Sequence, residues 1–468
     1  MSDRRFFRLA TTGARMLVGT LVAAGFVVAV VTAVSVPWTS LSHEPVRIRA
    51  TPEPTETVVV CDGPLLALGR QAEQAQQLST ASDVSVTVGV SEGAADPSET
   101  QLASPDLLGA EGVPVFTAEP ADGARTDVAA SSSATARADD LAGFAASGCR
   151  PPLLESWLVG GSGTVGAADL VLLSNPGDVA ATVQLTVFGA SGPTTPPGGS
   201  LVIAPGTRRI VPLAGLAPDE QSPVIRVTAT GAPVQAALQT SITRTLVPGG
   251  MDQSGAIAAP EQDLVLAGII ASDVTTADGP ATVLRLLSPS ADTTAEVTAR
   301  VVDNTRPAGE PQTIPLAAGQ PVEVELGPLR TGVYTVTVAA GAPVVGSLWQ
   351  ATGLGAGDDF AWYTPADEIG VPTLFATPAG PPPLVTVANT SDGDVTVRIA
   401  ATDGSFSTEV AVAAGTATDL RLPSRGVFLL DPGGPGIHAA VSFSAAGALA
   451  GFPVWPADAA EQPITVYP

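Results

Sequence analysis

The sequence predicts an all-β protein: tandem β-sandwich (Ig-like) repeats after a single N-terminal transmembrane helix. Three observations carry this. Gly (49) and Pro (43) make up about a fifth of the 468 residues, a share that suits short strands joined by turns. Apolar and polar residues alternate in short runs such as Val322-Glu323-Val324-Glu325-Leu326, the period of a half-buried strand. After residue 156 the same turn markers recur three times in one order. No long helical period separates the strands, which disfavours a parallel α/β architecture.

The first element is Leu17 to Val36, 20 residues without a charge, enough to span a ~30 Å hydrocarbon core. Arg4, Arg5, Arg8 and Arg15 precede it, and only His43 and Glu44 follow closely. By the positive-inside rule, residues 1–15 are a cytoplasmic tail, 16–36 cross the membrane and the body is extracellular. A cleaved signal peptide is the alternative, with Ala33-Val34-Ser35 as a small-x-small site. The apolar core is longer than the roughly 7–15 residues usual in signal peptides, which favours a retained anchor. Residues 37–56 read as a Pro-rich stalk through Thr51-Pro52-Glu53-Pro54-Thr55-Glu56, with Trp38 at the membrane interface.

Residues 57–155 form a β unit bracketed by Cys61 and Cys149, the two cysteines of the chain. In an oxidising compartment an even pair is expected to bond. Closing so long a loop stabilises by about 4–5 kcal/mol on the chain-entropy account. Two buried free thiols are the alternative; a zinc site would lack partners at ligand spacing. Within the unit, Val84, Val86, Val88 and Val90 alternate as a strand. Pro64 to Leu78 is expected to form a short helix, and the Ala/Ser-rich Ala129 to Ala138 a loop.

The remainder divides into repeats at 156–260, 261–365 and 366–468. Leu172-Leu173-Ser174-Asn175, Leu286-Leu287-Ser288-Pro289 and Val387-Ala388-Asn389-Thr390 open the units. With Ser174, Ser288 and Ala388 taken as equivalent, Val183, Val297 and Val397 fall nine positions on. Gly206, Gly319 and Gly415 then precede alternating runs that reach Leu213, Leu326 and Leu422. Arg209 breaks the alternation in the first run, so inward packing there is expected from Val211. Gly231-Ala232-Pro233-Val234 recurs as Gly341-Ala342-Pro343-Val344, with Gly447-Ala448-Leu449-Ala450 as a weaker third copy. Units of about 100 residues suit sandwiches of about seven strands.

Ser156 to Gly161, Leu172 to Asp178 and Ala204 to Pro218 resemble an uncharacterised actinobacterial family of membrane-anchored, exported envelope proteins. The resemblance implies the anchor, the Cys-bracketed unit and the β-repeats, and supplies no catalytic residues.

Net charge is -24. Such a surface repels phosphates, so nucleic acid is not an expected partner. All 21 basic residues are Arg, which reads as the codon bias of a GC-rich bacterial genome. His43 and His438 are the two histidines. A Ser-His-Asp arrangement would need His438, which reads as exposed or on an edge strand; nothing marks a nucleophile elbow. Gly160-Gly161-Ser162-Gly163 does not match a phosphate loop. Asp139-Asp140, Asp358-Asp359 and Asp367-Glu368 are adjacent acids, whose side chains point apart on a strand. Substituting Asp358 and Asp359 together is expected to be silent. Asn389 to Asp394 reads as a turn, with a Ca²⁺ loop as the alternative. Trp157, Trp349 and Trp455 are expected as core plugs, with a sugar-binding aromatic platform as the alternative.

The expectation is therefore a non-enzymatic, membrane-tethered envelope scaffold or interaction protein, without catalytic residues, metal or cofactor. Its partners are the membrane and an envelope protein or glycan. A polysaccharide-binding or assembly accessory comes second, and a carboxylate-dependent extracellular hydrolase third.

Overall fold

A computed structural model describes residues 3–35, 48–50, 53–69, 77–107, 112–244, 246–272, 274, 279–457 and 464–466. Trp38 and His43 lie outside the described residues, as does most of the expected stalk. The chain forms two compact bodies, residues 1–52 with 463–468, and residues 53–462.

The smaller body contains α1 (Asp3–Ser35) and β1 (Ile48–Ala50). Gly13–Ser35 is long and apolar enough to cross a membrane, and apolar side chains such as Leu17, Val22 and Phe26 are exposed. β1 pairs antiparallel with Ile464–Val466. These last residues thus leave the third repeat, to which the sequence reading had assigned them.

The larger body opens with β2 (Thr57–Val60), β3 (Leu65–Leu68), β4 (Leu78–Ser82), β5 (Ser85–Val90), β6 (Ser98–Leu102), β7 (Val113–Ala118), β8 (Val128–Arg137) and β9 (Ala142–Gly148). They make three small sheets, β2-β7-β6, β3-β4 and β5-β8-β9. The Cys61–Cys149 disulfide closes this part, with Cα atoms 4.1 Å apart. Two expectations fail here. The supposed helix start is strand β3, because Leu65 and Leu66 point into different apolar clusters on opposite faces. The supposed Ala/Ser loop is β8, the central strand of its sheet. Its small buried residues, Ala129 to Ala134, let packed neighbours approach closely, and Ser132 and Ser147 hydroxyls meet at 3.3 Å. Packing here overrides weak β-propensity.

Three modules follow. The first holds β10 (Glu155–Val159), β11 (Leu170–Asn175), β12 (Ala181–Gly189), β13 (Gly192–Thr194), β14 (Ser200–Ile203), β15 (Thr207–Pro212), β16 (Val224–Thr230), β17 (Gln235–Arg244) and β18 (Val247–Gly255). The second holds β19 (Glu261–Ala271), β20 (Thr282–Leu287), β21 (Thr293–Val301), β22 (Gln312–Leu316), β23 (Val322–Glu325), β24 (Gly332–Ala351) and β25 (Phe360–Tyr363). The third holds β26 (Thr373–Thr377), β27 (Leu384–Asn389), β28 (Val395–Ala401), β29 (Ser407–Val412), β30 (Ala417–Arg421), β31 (Gly426–Asp431), β32 (Ile437–Ala445) and β33 (Ala448–Pro453).

Each module stacks two antiparallel sheets with the same pairings. One sheet runs β10-β16-β12-β14, β19-β24-β21-β22 or β26-β31-β28-β29. The other runs β15-β11-β17-β18, β23-β20-β24-β25 or β30-β27-β32-β33. The long β24 belongs to both sheets of its module. The inward residues make one core per module, built around Val183, Val297 and Val397 respectively.

Gly206, Gly319 and Gly415 occupy the same connection, β14–β15, β22–β23 and β29–β30, at φ of 63°, 75° and 66°. Only glycine enters that region without cost. Leu213 and Leu422 are buried in their cores, and Leu326 packs half-buried against its own. Val211 also packs half-buried against the first core. The residue before each glycine explains a further difference. Ala318 N–H donates to Asp292 Oδ1 (2.8 Å) and Ala414 N–H to Asp394 Oδ1 (2.9 Å). In the first module Pro205 stands there, has no N–H, and needs no such acid.

The register corrects two sequence equivalences. Asn175 lies opposite Thr207, the residue after its glycine, and Asn389 N–H donates to Thr416 O at the matching place. Asn175 and Asn389 therefore match Ser288, one residue later than Ser174 and Ala388. Gly447 lies in the β32–β33 hairpin, whereas Gly231 and Gly341 sit at the junction before β17 and the second half of β24. Its proposed repeat marker is a different turn.

Candidate functional site

The chemistry-bearing side chains of the described residues gather where modules meet. Asp359, just before β25, is 0% exposed. Its Oδ2 accepts N–H bonds from Phe144 (2.9 Å) and Leu449 (3.0 Å), and its Oδ1 one from Met251 (3.0 Å). Those donors belong to the Cys-bracketed part, the third module and the first module, while Asp359 belongs to the second. One carboxylate thus ties four parts of the chain. Burial pushes its pKa up to about 7, against the pull of the N–H groups. The neighbouring Asp358 points away and accepts from Gly355 N–H at 2.7 Å. The two carboxylates thus hold different partners, and with Asp359 tied to three other parts of the chain a silent double substitution is not expected.

Other buried charges do similar work. Asp252 Oδ2 accepts from Trp362 N–H (2.7 Å) across the first and second modules, and burial raises its pKa. Asp62 Oδ1 accepts from Gln235 Nε2 (2.7 Å), and Asp62 O from Arg208 Nη1 (2.7 Å). These join the Cys-bracketed part to the first module. Burial lowers the Arg208 pKa to about 10. Arg150, also buried, lies 5.2 Å from the Trp455 ring. Arg285 donates to Gly161 O and Pro223 O (both 2.9 Å) and pairs with Glu323 at 2.7 Å. None of these ties follows from the sequence patterns above. The available signal is a lone charge in an apolar run, as in Val283-Leu284-Arg285-Leu286-Leu287.

Among the described residues, two of the open clefts between modules carry polar or aromatic side chains of interest. One, about 630 Å³, separates the β19-β24-β21 face from the third module and contains His438, Glu368, Glu261, Asp263, Arg300 and Thr390. His438 is half-buried at the start of β32, opposite Ala388 of β27 and just before the β33 ladder, which begins at Ala440. Its Nδ1 lies 2.8 Å from Ala366 O and its Nε2 3.3 Å from Thr390 Oγ1. Burial lowers its pKa. Glu368 Oε1 accepts from Gly436 N–H at 2.7 Å. Asp139 and Asp140 sit apart, exposed in the β8–β9 turn. In the Asn389 turn, Asn389 Nδ2 donates to Gly393 O (2.8 Å) and Val412 O (3.1 Å). Asn175 makes the matching bonds to Val179 O and Ile203 O, so Asn389 serves as a repeated turn clamp. Among the described residues no group of three or more His, Cys, Asp or Glu is placed to hold a metal.

The second cleft, about 470 Å³, lies between the Gly161–Ala167 loop with β17 and the outer face of the β20–β24–β25 sheet. Trp349 stands opposite Trp362 across β24 and β25, with the Phe360 ring 6.0 Å away. Arg285 lies 4.9 Å from the Trp362 ring. Of the expected core plugs, Trp157 is buried. Trp349 and Trp455 are only half-buried at seams.

A model described as a family of unknown function (DUF5719) matches residues 109–423, more than half of the chain. The chain belongs to the DUF5719 family. The DUF5719 match includes Asp359 and the aromatic cleft, whereas His438 lies beyond it. No curated protein matches the chain. Among solved structures, a biofilm associated protein BSP domain is similar at 9% identity, covering 91% of this chain and 100% of that one. Its TM-score of 0.12 carries no structural argument.

Proposed function

We propose that this protein is a non-enzymatic scaffold or interaction protein of the cell envelope, held in the membrane by α1 with its β-body outside. The apolar Gly13–Ser35 stretch and the Cys61–Cys149 disulfide are marks of an exported protein. The arginines before the helix supply the orientation. The observation that carries the scaffold reading is the Asp359 junction, where a buried acid is filled with backbone N–H groups from three other parts of the chain. Such an acid orders a structure and is not free to move a proton to a substrate. His438, with contacts at both ring nitrogens, supports the same reading.

Protease treatment of intact cells tests the location. The body should be removed, and the mature N-terminus should precede residue 15. A protected body, or a mature N-terminus at Ser35 or Val36, contradicts the tether.

A further inference from the structure

We infer that the cleft between the first and second modules is a saccharide-binding site that holds a pyranose ring against Trp349. The inference stands apart from the membrane tether, since a released body would carry the same cleft. Its volume, about 470 Å³, falls in the range of small-ligand sites. Its floor is aromatic. Trp349 and Trp362 are cross-strand neighbours, and Phe360 lies beside Trp349. Aromatic faces carry partial negative charge, which suits the C–H-rich face of a sugar ring.

The walls supply unused polar groups. Thr240 is 2% exposed, yet its Oγ1 has no hydrogen-bond partner. Trp349 Nε1 and Arg244 Nη1 are also buried and unpartnered. All three residues line this one cleft. Buried polar groups are ordinarily bonded, and an unpartnered one costs stability. These atoms have almost no accessible surface, so a ligand reaches them only with a small shift of the lining side chains, and one that does so must be rich in acceptors and able to donate. Sugar hydroxyls do both.

Of the charged groups that line the cleft, Arg285, Glu323 and Asp169 are engaged within the protein, and Arg244 lies in the field of Asp358, which lessens its demand for an anion. Arg285 is paired with Glu323 at 2.7 Å. Asp169 accepts from Ser162 N–H (2.7 Å) and Ser241 N–H (2.8 Å). The cleft therefore offers stacking plus hydrogen bonds, which is the chemistry of neutral glycan recognition.

The test uses the full chain in detergent micelles, titrated with cellotetraose, maltotetraose, mannotetraose, galactotetraose and chitotetraose by calorimetry and tryptophan fluorescence. At least one should bind and change the fluorescence. Trp349→Ala should abolish that binding. Thr240→Val, which removes a hydroxyl without orphaning any partner, should weaken it about fivefold while leaving the melting curve in place. His438→Ala, in the other cleft, should bind as the parent does. Failure of all five sugars up to about 10 mM, or unchanged binding by folded Trp349→Ala and Thr240→Val proteins, overturns the inference.

Discussion

A carboxylate without solvent loses its hydration, and it persists only where the protein fills its oxygens. Asp359 meets that condition with N–H groups from Phe144, Met251 and Leu449. Asp359→Ala leaves three buried donors unmet, so a loss of about 3 kcal/mol or more is expected in denaturant unfolding. Asp358→Ala, half-exposed and holding one local turn, should cost less than about 1 kcal/mol. The buried acids also set a pH dependence. Asp359 is raised to about 7 and Asp169 to about 6, both by burial. An acid with a higher pKa folded than unfolded binds its proton more readily in the native state. Stability from these groups is full below about pH 4 and is lost as pH rises through about 6–7. His438, lowered by burial, works in the opposite direction as one group against several. The melting temperature should therefore be higher at pH 5 than at pH 8. At this scale the sequence disclosed the cysteine pair but not the buried acids. Asp and Glu are mostly surface residues, and nothing local distinguishes Asp359 from Asp358. The distinguishing donors lie 215, 108 and 90 positions away in sequence.

Turns were the most legible elements, because a positive φ leaves a glycine in the sequence. The glycines at 206 and 415 have open space where a Cβ would go, so replacing either with alanine costs backbone strain alone. Gly206→Ala and Gly415→Ala should each lose about 1 kcal/mol in equilibrium unfolding, by similar amounts, since the turn is the same. Strongly unequal losses would argue against that equivalence. Strand β8 was not legible, since Ala and Ser carry little β signal and its place is set by neighbours on both sides. Strand β3 was misread because Leu and Ala are good helix formers. The Gly447 marker failed because a Gly-Ala pair suits any hairpin, and only pairing distinguishes the β32–β33 turn from the junction before β17. Trp349 was read as a core plug, yet its position on the outer sheet face follows from a register that composition does not contain.

For the whole molecule, the repeats foretold three like modules but not their fusion. The seams are specific. Trp157, Val159, Leu287 and Val345 share one apolar cluster across the first and second modules. Val265, Ala267, Ala388 and Ala440 share another across the second and third. Leu66, Leu170 and Leu172 join the Cys-bracketed part to the first module, and Ala129 and Leu374 join it to the third. Polar ties cross the same seams, as in Ser347 Oγ donating to Val159 O and Ser442 Oγ to Gly268 O, both at 2.6 Å. Modules joined only by linkers would unfold one at a time; modules that share buried carboxylates and cores should not. Differential scanning calorimetry of the full chain tests this most directly. One transition is expected for residues 53–462, with equal calorimetric and van't Hoff enthalpies, which Asp359→Ala splits or shifts as a unit to lower temperature. Separate transitions in the parent protein, one per module and indifferent to Asp359→Ala, would contradict it.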